Sequence, residues 1–188
     1  MAPGITLVLG GARSGKSAVA EALVVAHGPA VSYVATGAVP DGEDRDWADR
    51  VAAHRARRPG SWTTVEVPPG GDLPAVLADL SGPVLLDSLG TWLAGTWLPI
   101  SGLFDVPLTA LGQGLVARRN AGHATVVVSE EVGLGVHPST EAGRLFRDDL
   151  GSVNQFVSAV ADRAVLVVAG RILELDRAPG FDPAPEAG

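Results

Sequence analysis

The sequence predicts an α/β fold with a mainly parallel sheet and helices on both faces. Three observations lead there. Short apolar runs rich in β-branched residues alternate with longer stretches of helical character. A glycine-rich loop joins the first such run to the first helical stretch. Several runs end in a polar or charged residue, which a parallel sheet would gather at the carboxyl edge where such folds bind ligands.

The elements follow in order. Residues 5–9 (ITLVL) read as the first strand, and residues 18–26 as a helix after the glycine-rich loop. Residues 31–35 (VSYVA) form a second strand that runs into Thr36 and Gly37. A polar stretch with Gly and Pro, 37–46, leads into a helix over 46–57 and would let that helix swing. Residues 63–67 (TTVEV) are a third strand, and 73–80 a short helix. The apolar run 84–86 stops at Asp87. Residues 96–106 hold Pro and Gly and read as a surface excursion, after which 106–120 is helical. Residues 125–129 (TVVVS) are a strong strand ending at Glu130, and 140–161 is a long helix. Residues 164–169 form a last buried strand, with 171–175 hairpinning back through Gly170. Gly10, Thr36, Asp87 and Glu130 all follow strands and are expected on one edge. A chain of 188 residues fits one catalytic domain, 1–175, and the Pro-rich stretch 176–188 reads as a disordered tail.

Composition narrows the function. A net charge of −7 and a pI near 5.0 argue against nucleic acid or an anionic membrane as the main partner. Any anion must therefore be held at a local site. The absence of cysteine excludes disulfides, thiolate metal sites and a cysteine nucleophile. No apolar run reaches the roughly 18 residues of a membrane span, and the start of the chain lacks a basic leader region, so a cytoplasmic location is expected.

That local site is legible. Gly10-x-x-x-x-Gly15-Lys16-Ser17 has the P-loop spacing, in which backbone N–H groups turn inward around phosphates. Lys16 is the only lysine; every other permanently cationic side chain is arginine. A compact ammonium on a flexible stem can reach between phosphate oxygens where a planar guanidinium fits poorly. The Ser17 hydroxyl is suited to Mg²⁺, and Asp87 at the end of a neighbouring apolar run is the expected carboxylate beside it. Asp87 also opens a D-x-x-G, but no N-K-x-D guanine reader exists, so a GTPase switch is not expected.

Two further segments carry chemistry. His54 opens HRARR, with Arg55, Arg57 and Arg58 close by. A neutral imidazole there could attack phosphorus while guanidiniums hold the oxygens. The residues alone leave open a solvated basic helix end. Glu130 and Glu131 follow a buried-type strand and enter a glycine-rich loop, either as solvated turn acids or as carboxylates that bind substrate or take a hydroxyl proton.

GGARSGKS, YVATG, RVAAHRARRPGSW, TVEV, VLLD, SEEVGLGVHP and RLFRDDLGSVNQ, in that order over about 5–168, resemble the bifunctional adenosylcobinamide kinase/adenosylcobinamide-phosphate guanylyltransferase family of cobalamin biosynthesis. The resemblance implies a RecA-like P-loop NTPase fold and a homotrimer. It implies phosphorylation of the adenosylcobinamide alcohol with ATP or GTP. GMP then moves from GTP to adenosylcobinamide phosphate through a guanylylated histidine, which matches His54. The implied nucleotide contacts are Gly10, Gly11, Ala12, Arg13, Ser14, Gly15, Lys16 and Ser17; Ala35, Thr36 and Gly37; Arg55, Ala56, Arg57 and Arg58; Glu66; and Asp87, with Mg²⁺ at Ser17 and Asp87. Three departures stand out. Glu130 occupies a position where the family pattern leads one to expect Asn, Asp87 stands where some members carry Glu, and 90–111 matches poorly, so corrinoid contacts are not assigned. A P-loop small-molecule kinase without guanylyl transfer, or a nucleotide-dependent regulator or assembly ATPase, shares much of the same sequence pattern.

Overall fold

In the computed structural model, residues 4–37, 45–96 and 107–179 are described. Most of the 37–46 stretch, nearly all of the 96–106 excursion and the end of the tail lie outside them. Seven strands form one sheet: β1 (Ile5–Gly10), β2 (Ser32–Thr36), β3 (Thr63–Val67), β4 (Val84–Asp87), β5 (Thr125–Glu130), β6 (Arg163–Val168) and β7 (Arg171–Leu175). Their order is β3-β2-β4-β5-β1-β6-β7. All pairings are parallel except that of β6 with β7. The predicted α/β class holds.

The helices are α1 (Lys16–Val25), α2 (Arg45–Arg57), α3 (Leu73–Asp79), α4 (Leu89–Thr96), α5 (Leu108–Asn120) and α6 (Glu141–Val160). A parallel sheet must be covered on both faces, and strand periodicity supplies two cores. Ile5, Leu7, Val34, Leu86 and Val127 point to the face packed by α3, α4, α5 and α6. Val8, Tyr33, Leu85, Val126 and Val128 point to the opposite face, covered by α1. Successive residues of one strand thus serve opposite cores.

The short helix α4 is absent from the sequence reading. Its residues LGTWLAGT include two glycines and carry no charge, and Leu89, Gly90, Trp92 and Leu93 are all buried. Without a polar face there is no amphipathic period to read. The first helix also begins earlier than residue 18, at Lys16, so Lys16 and Ser17 lie in its first turn. Capping accounts for other starts. Asp72 accepts from the Ala75 N–H ahead of α3, and Thr140 from the Gly143 N–H ahead of α6. The hairpin between β6 and β7 turns through Ala169 and Gly170, both at positive φ, as a two-residue hairpin turn demands.

Arg118 of α5 is buried, with no acidic partner among the described residues. Its guanidinium donates to the carbonyls of Leu77 (3.2 Å), Leu80 and Gly82 (2.7 Å) and to the Thr125 hydroxyl (3.0 Å). It therefore ties the end of α3 to the start of β5. Burial lowers its pKa to about 10, still leaving it charged at neutral pH. Arg118→Met should lower unfolding free energy by roughly 2–4 kcal/mol, because several buried acceptors lose their donor. Urea denaturation measures this; a loss below about 1 kcal/mol would show that water replaces the guanidinium.

Candidate active site

Parallel register gathers the strand ends. Gly10 of β1 pairs with Glu130 of β5, Ala35 of β2 with Asp87 of β4, and Ala35 again with Glu66 of β3. Beyond this edge opens a cleft of about 690 Å³, the size of a ligand pocket. It is lined by residues 12–18, by Ala35, Thr36 and Gly37, by Arg55, Arg58, Glu66, Asp87 and Glu130, and by Tyr33, Val51, Ser88, Gly90, Thr91, Ala94, Val132 and Phe146. Gly10, Gly11 and Ala56 are not in that lining.

The loop from β1 to α1 is shaped by close approach. A Cβ on Gly10 would lie 2.5 Å from Ser14 Oγ and 2.9 Å from the Val167 carbonyl. Gly15 has φ of 93° and begins α1 without a side-chain cap. An uncapped helix start facing a cleft presents N–H groups and the positive helix end to an anion. The β6–β7 turn braces the loop, since Gly170 N–H donates to the Ser14 carbonyl at 2.8 Å. Lys16 Nζ stands 3.5 Å from Glu130 Oε1, with 14% of the lysine side chain exposed.

A second set of contacts surrounds Asp87. Tyr33 donates its hydroxyl to Asp87 Oδ2 at 2.7 Å. Burial, then the adjacent Asp87 carboxylate, hold the Tyr33 phenol well above its ordinary range, so it remains a donor. The Arg58 guanidinium lies 3.4 Å from the Tyr33 ring centre, and Trp62 stacks against the same ring at 6.3 Å. Arg58 also donates to Thr64 (3.0 Å), and Arg55 pairs with Glu66. Thr36, Ser88 and Thr91 form a hydroxyl cluster, with Thr36 Oγ1 bonded to the Ser88 carbonyl (2.5 Å) and to Thr91 Oγ1 (2.6 Å).

The predicted loop, Asp87, Arg55, Arg58 and Glu66 therefore face one cavity. His54 and Arg57 lie on α2, and their side chains are outside the described residues. Glu131 turns back on its own loop and accepts from the Gly133 N–H at 2.7 Å. His137 contacts Arg147 at 2.9 Å and is not in the cleft lining. Sequence reasoning missed Tyr33 and the Ser88–Thr91 cluster. Tyr33 is the only tyrosine in the chain, but a strand residue 54 positions from its partner leaves no local signal.

The oxygen donors suit a hard cation. Ser17 contributes a hydroxyl, and Asp87 a carboxylate, to the lining. Among the described residues no group of three or more acidic or imidazole side chains clusters as a metal cage. Mg²⁺ needs only one or two carboxylates when a triphosphate and water complete its shell, so this donor set fits.

A family model described as cobinamide kinase / cobinamide phosphate guanyltransferase matches residues 6–175. A bifunctional adenosylcobalamin biosynthesis protein of Pseudomonas aeruginosa, CobP, is 39% identical over 181 residues, covering 92% of this chain and 98% of that one. The bifunctional adenosylcobalamin biosynthesis proteins CobU of Salmonella typhimurium and Escherichia coli are 35% and 37% identical, each over 87% of this chain and 95% of their own.

Lys16→Ala and Lys16→Arg should each lose about 10²–10³-fold in nucleotide-dependent turnover, the usual cost of removing a preorganised charge at a transferring phosphoryl group. Near-normal turnover by Lys16→Arg would show that a guanidinium fits the cradle after all. Asp87→Asn should raise the Mg²⁺ concentration needed for half-maximal turnover. An unchanged Mg²⁺ titration would place the metal on other oxygens.

Proposed function

The chain belongs to the cobinamide kinase / cobinamide phosphate guanyltransferase family, and we propose that it carries out both reactions in the cleft described above. In the first, the aminopropanol hydroxyl of adenosylcobinamide attacks the γ-phosphorus of ATP or GTP. In the second, GMP passes from GTP to adenosylcobinamide phosphate, giving adenosylcobinamide-GDP and pyrophosphate.

One observation carries this reading. The phosphate loop and the basic end of α2 line the same cavity, the latter through Val51, Arg55 and Arg58. The family resemblance matches the guanylylated histidine to His54, a residue of this same helix. Lys16 and the loop amides would hold the triphosphate in both reactions. His54 would attack the α-phosphorus: a P–N bond forms and pyrophosphate leaves. The acceptor phosphate then attacks the guanylyl phosphorus, the P–N bond breaks and the imidazole is restored. Bound Mg²⁺, held by Ser17 and Asp87, would neutralise phosphate charge. Among the described residues no helix is long and apolar enough to cross a membrane. A cytoplasmic location and, from the family resemblance, a homotrimer complete the reading.

His54→Ala separates this from a kinase that transfers no nucleotide. Incubated with α-labelled GTP and Mg²⁺, the normal protein should gain one acid-labile GMP, and His54→Ala none. Phosphorylation of the corrinoid alcohol should survive in the variant. Retained labelling would disprove the assignment to His54.

A further inference from the structure

The two proposed reactions differ in where a proton must go. The alcohol that attacks the γ-phosphorus carries a proton. The phosphate that attacks the guanylyl group is already ionised, and a neutral imidazole attacks through its lone pair. A proton acceptor is needed for the first nucleophile only.

Glu130 has the position for that task. Its Oε1 lies 3.5 Å from Lys16 Nζ, the group that marks where the β- and γ-phosphates rest. Its Oε2 accepts from Ser88 Oγ at 2.9 Å, which holds the carboxylate in place. Its backbone is fixed as well: Asn154 of α6 donates to the Glu130 carbonyl at 3.1 Å, and Glu131 N–H to the Gly10 carbonyl at 3.1 Å. Space for the side chain comes from Gly90, a buried residue of α4, where any Cβ would overlap Glu130 Oε2. The cleft wall supplied by Thr91 and Ala94 of α4, Val132 and Phe146 meets the phosphate loop at this carboxylate. Glu131, its acidic neighbour, is instead engaged with Gly133.

Building on the kinase reading above, we propose that Glu130 is the general base of the alcohol phosphorylation, and that Gly90 is the positioning residue that gives it room. The acceptor oxygen bonds to the γ-phosphorus while the bond from that phosphorus to the β,γ-bridging oxygen breaks. The hydroxyl proton passes to the Glu130 carboxylate and from there to solvent, and the nucleoside diphosphate leaves.

The test is Glu130→Gln, which keeps the size and the acceptor oxygen for Ser88 but not the basicity. Both half-reactions are followed on the full-length protein, with adenosylcobinamide plus ATP, and with adenosylcobinamide phosphate plus GTP. The kinase kcat should fall about 10²–10⁴-fold with little change in nucleotide KM, and the ratio of kinase to GMP-transfer rate should fall by about tenfold or more. Gly90→Ala keeps the carboxylate but displaces it, and should lower the same ratio. Equal losses in both half-reactions would overturn the proposal in favour of a role in holding Lys16 or the metal. An unchanged kinase kcat in Glu130→Gln would overturn it outright. Failure of the unaltered protein to phosphorylate adenosylcobinamide would instead sink the functional reading on which the proposal rests.

Discussion

The site depends on six neighbouring strands running the same way. Parallel pairing sends their carboxyl ends to one edge, so Gly10, Ala35, Glu66, Asp87 and Glu130 reach it from five different strands. Such a sheet is stable only when both faces are covered. The two cores, one under α1 and one under α3 to α6, are what hold the register. A slip of one residue in β4 or β5 would turn Leu86 or Val127 away from its core and aim Asp87 or Glu130 away from the cleft. Packing energy spread through the sheet is thereby converted into placement of a few polar atoms at its edge.

Charge is handled locally. The chain as a whole is acidic, yet the cleft gathers Lys16, Arg55 and Arg58 with loop amides and a helix start. Three of its cations are paired: Lys16 with Glu130, Arg55 with Glu66, and Arg58 with the face of Tyr33. These pairings hold cationic groups in a partly buried site and keep them aimed. Tyr33 goes further by joining two regions. Its ring bears Arg58 and its hydroxyl bears Asp87, so the α2 end and the β4 end of the cleft are positioned against one rigid side chain.

A cradle that serves attack at two phosphorus atoms must stabilise the same triphosphate twice. What differs between the attacks is the nucleophile, and the groups that could handle each nucleophile come from different elements. The basic end of α2 lies on one side, and Glu130 with α4 and α6 on the other. The sheet edge between them is common ground. On the proposed reading, this division would let one chain hold two chemistries without two nucleotide sites.

Much of this was written in the sequence. The alternation of apolar runs and helices determined the fold class, because strand and helix periods are local. The glycine-rich loop between β1 and α1 was legible because its spacing, its flanking strand and its following helix are contiguous, and the lone lysine underlined it. Asp87 could be picked out because an apolar run stopped at it. Helix α4 was not legible, since its uncharged, mostly apolar residues leave no polar period to read. Nor was the value of Glu130 over Glu131. Both are acids after a strand, and only packing shows one turned to Lys16 and Ser88 and the other to Gly133. Gly90 stood in the sequence only as the end of a D-x-x-G, and nothing local shows that Glu130, 40 residues away, takes the space beside it. Arg118 carries no local signal of burial, yet it is buried and binds carbonyls up to 41 residues distant. Local pattern thus determined most of the elements and the glycine-rich loop. Contacts between residues far apart in the chain, which no local period encodes, decided which acids and cations meet in the cleft.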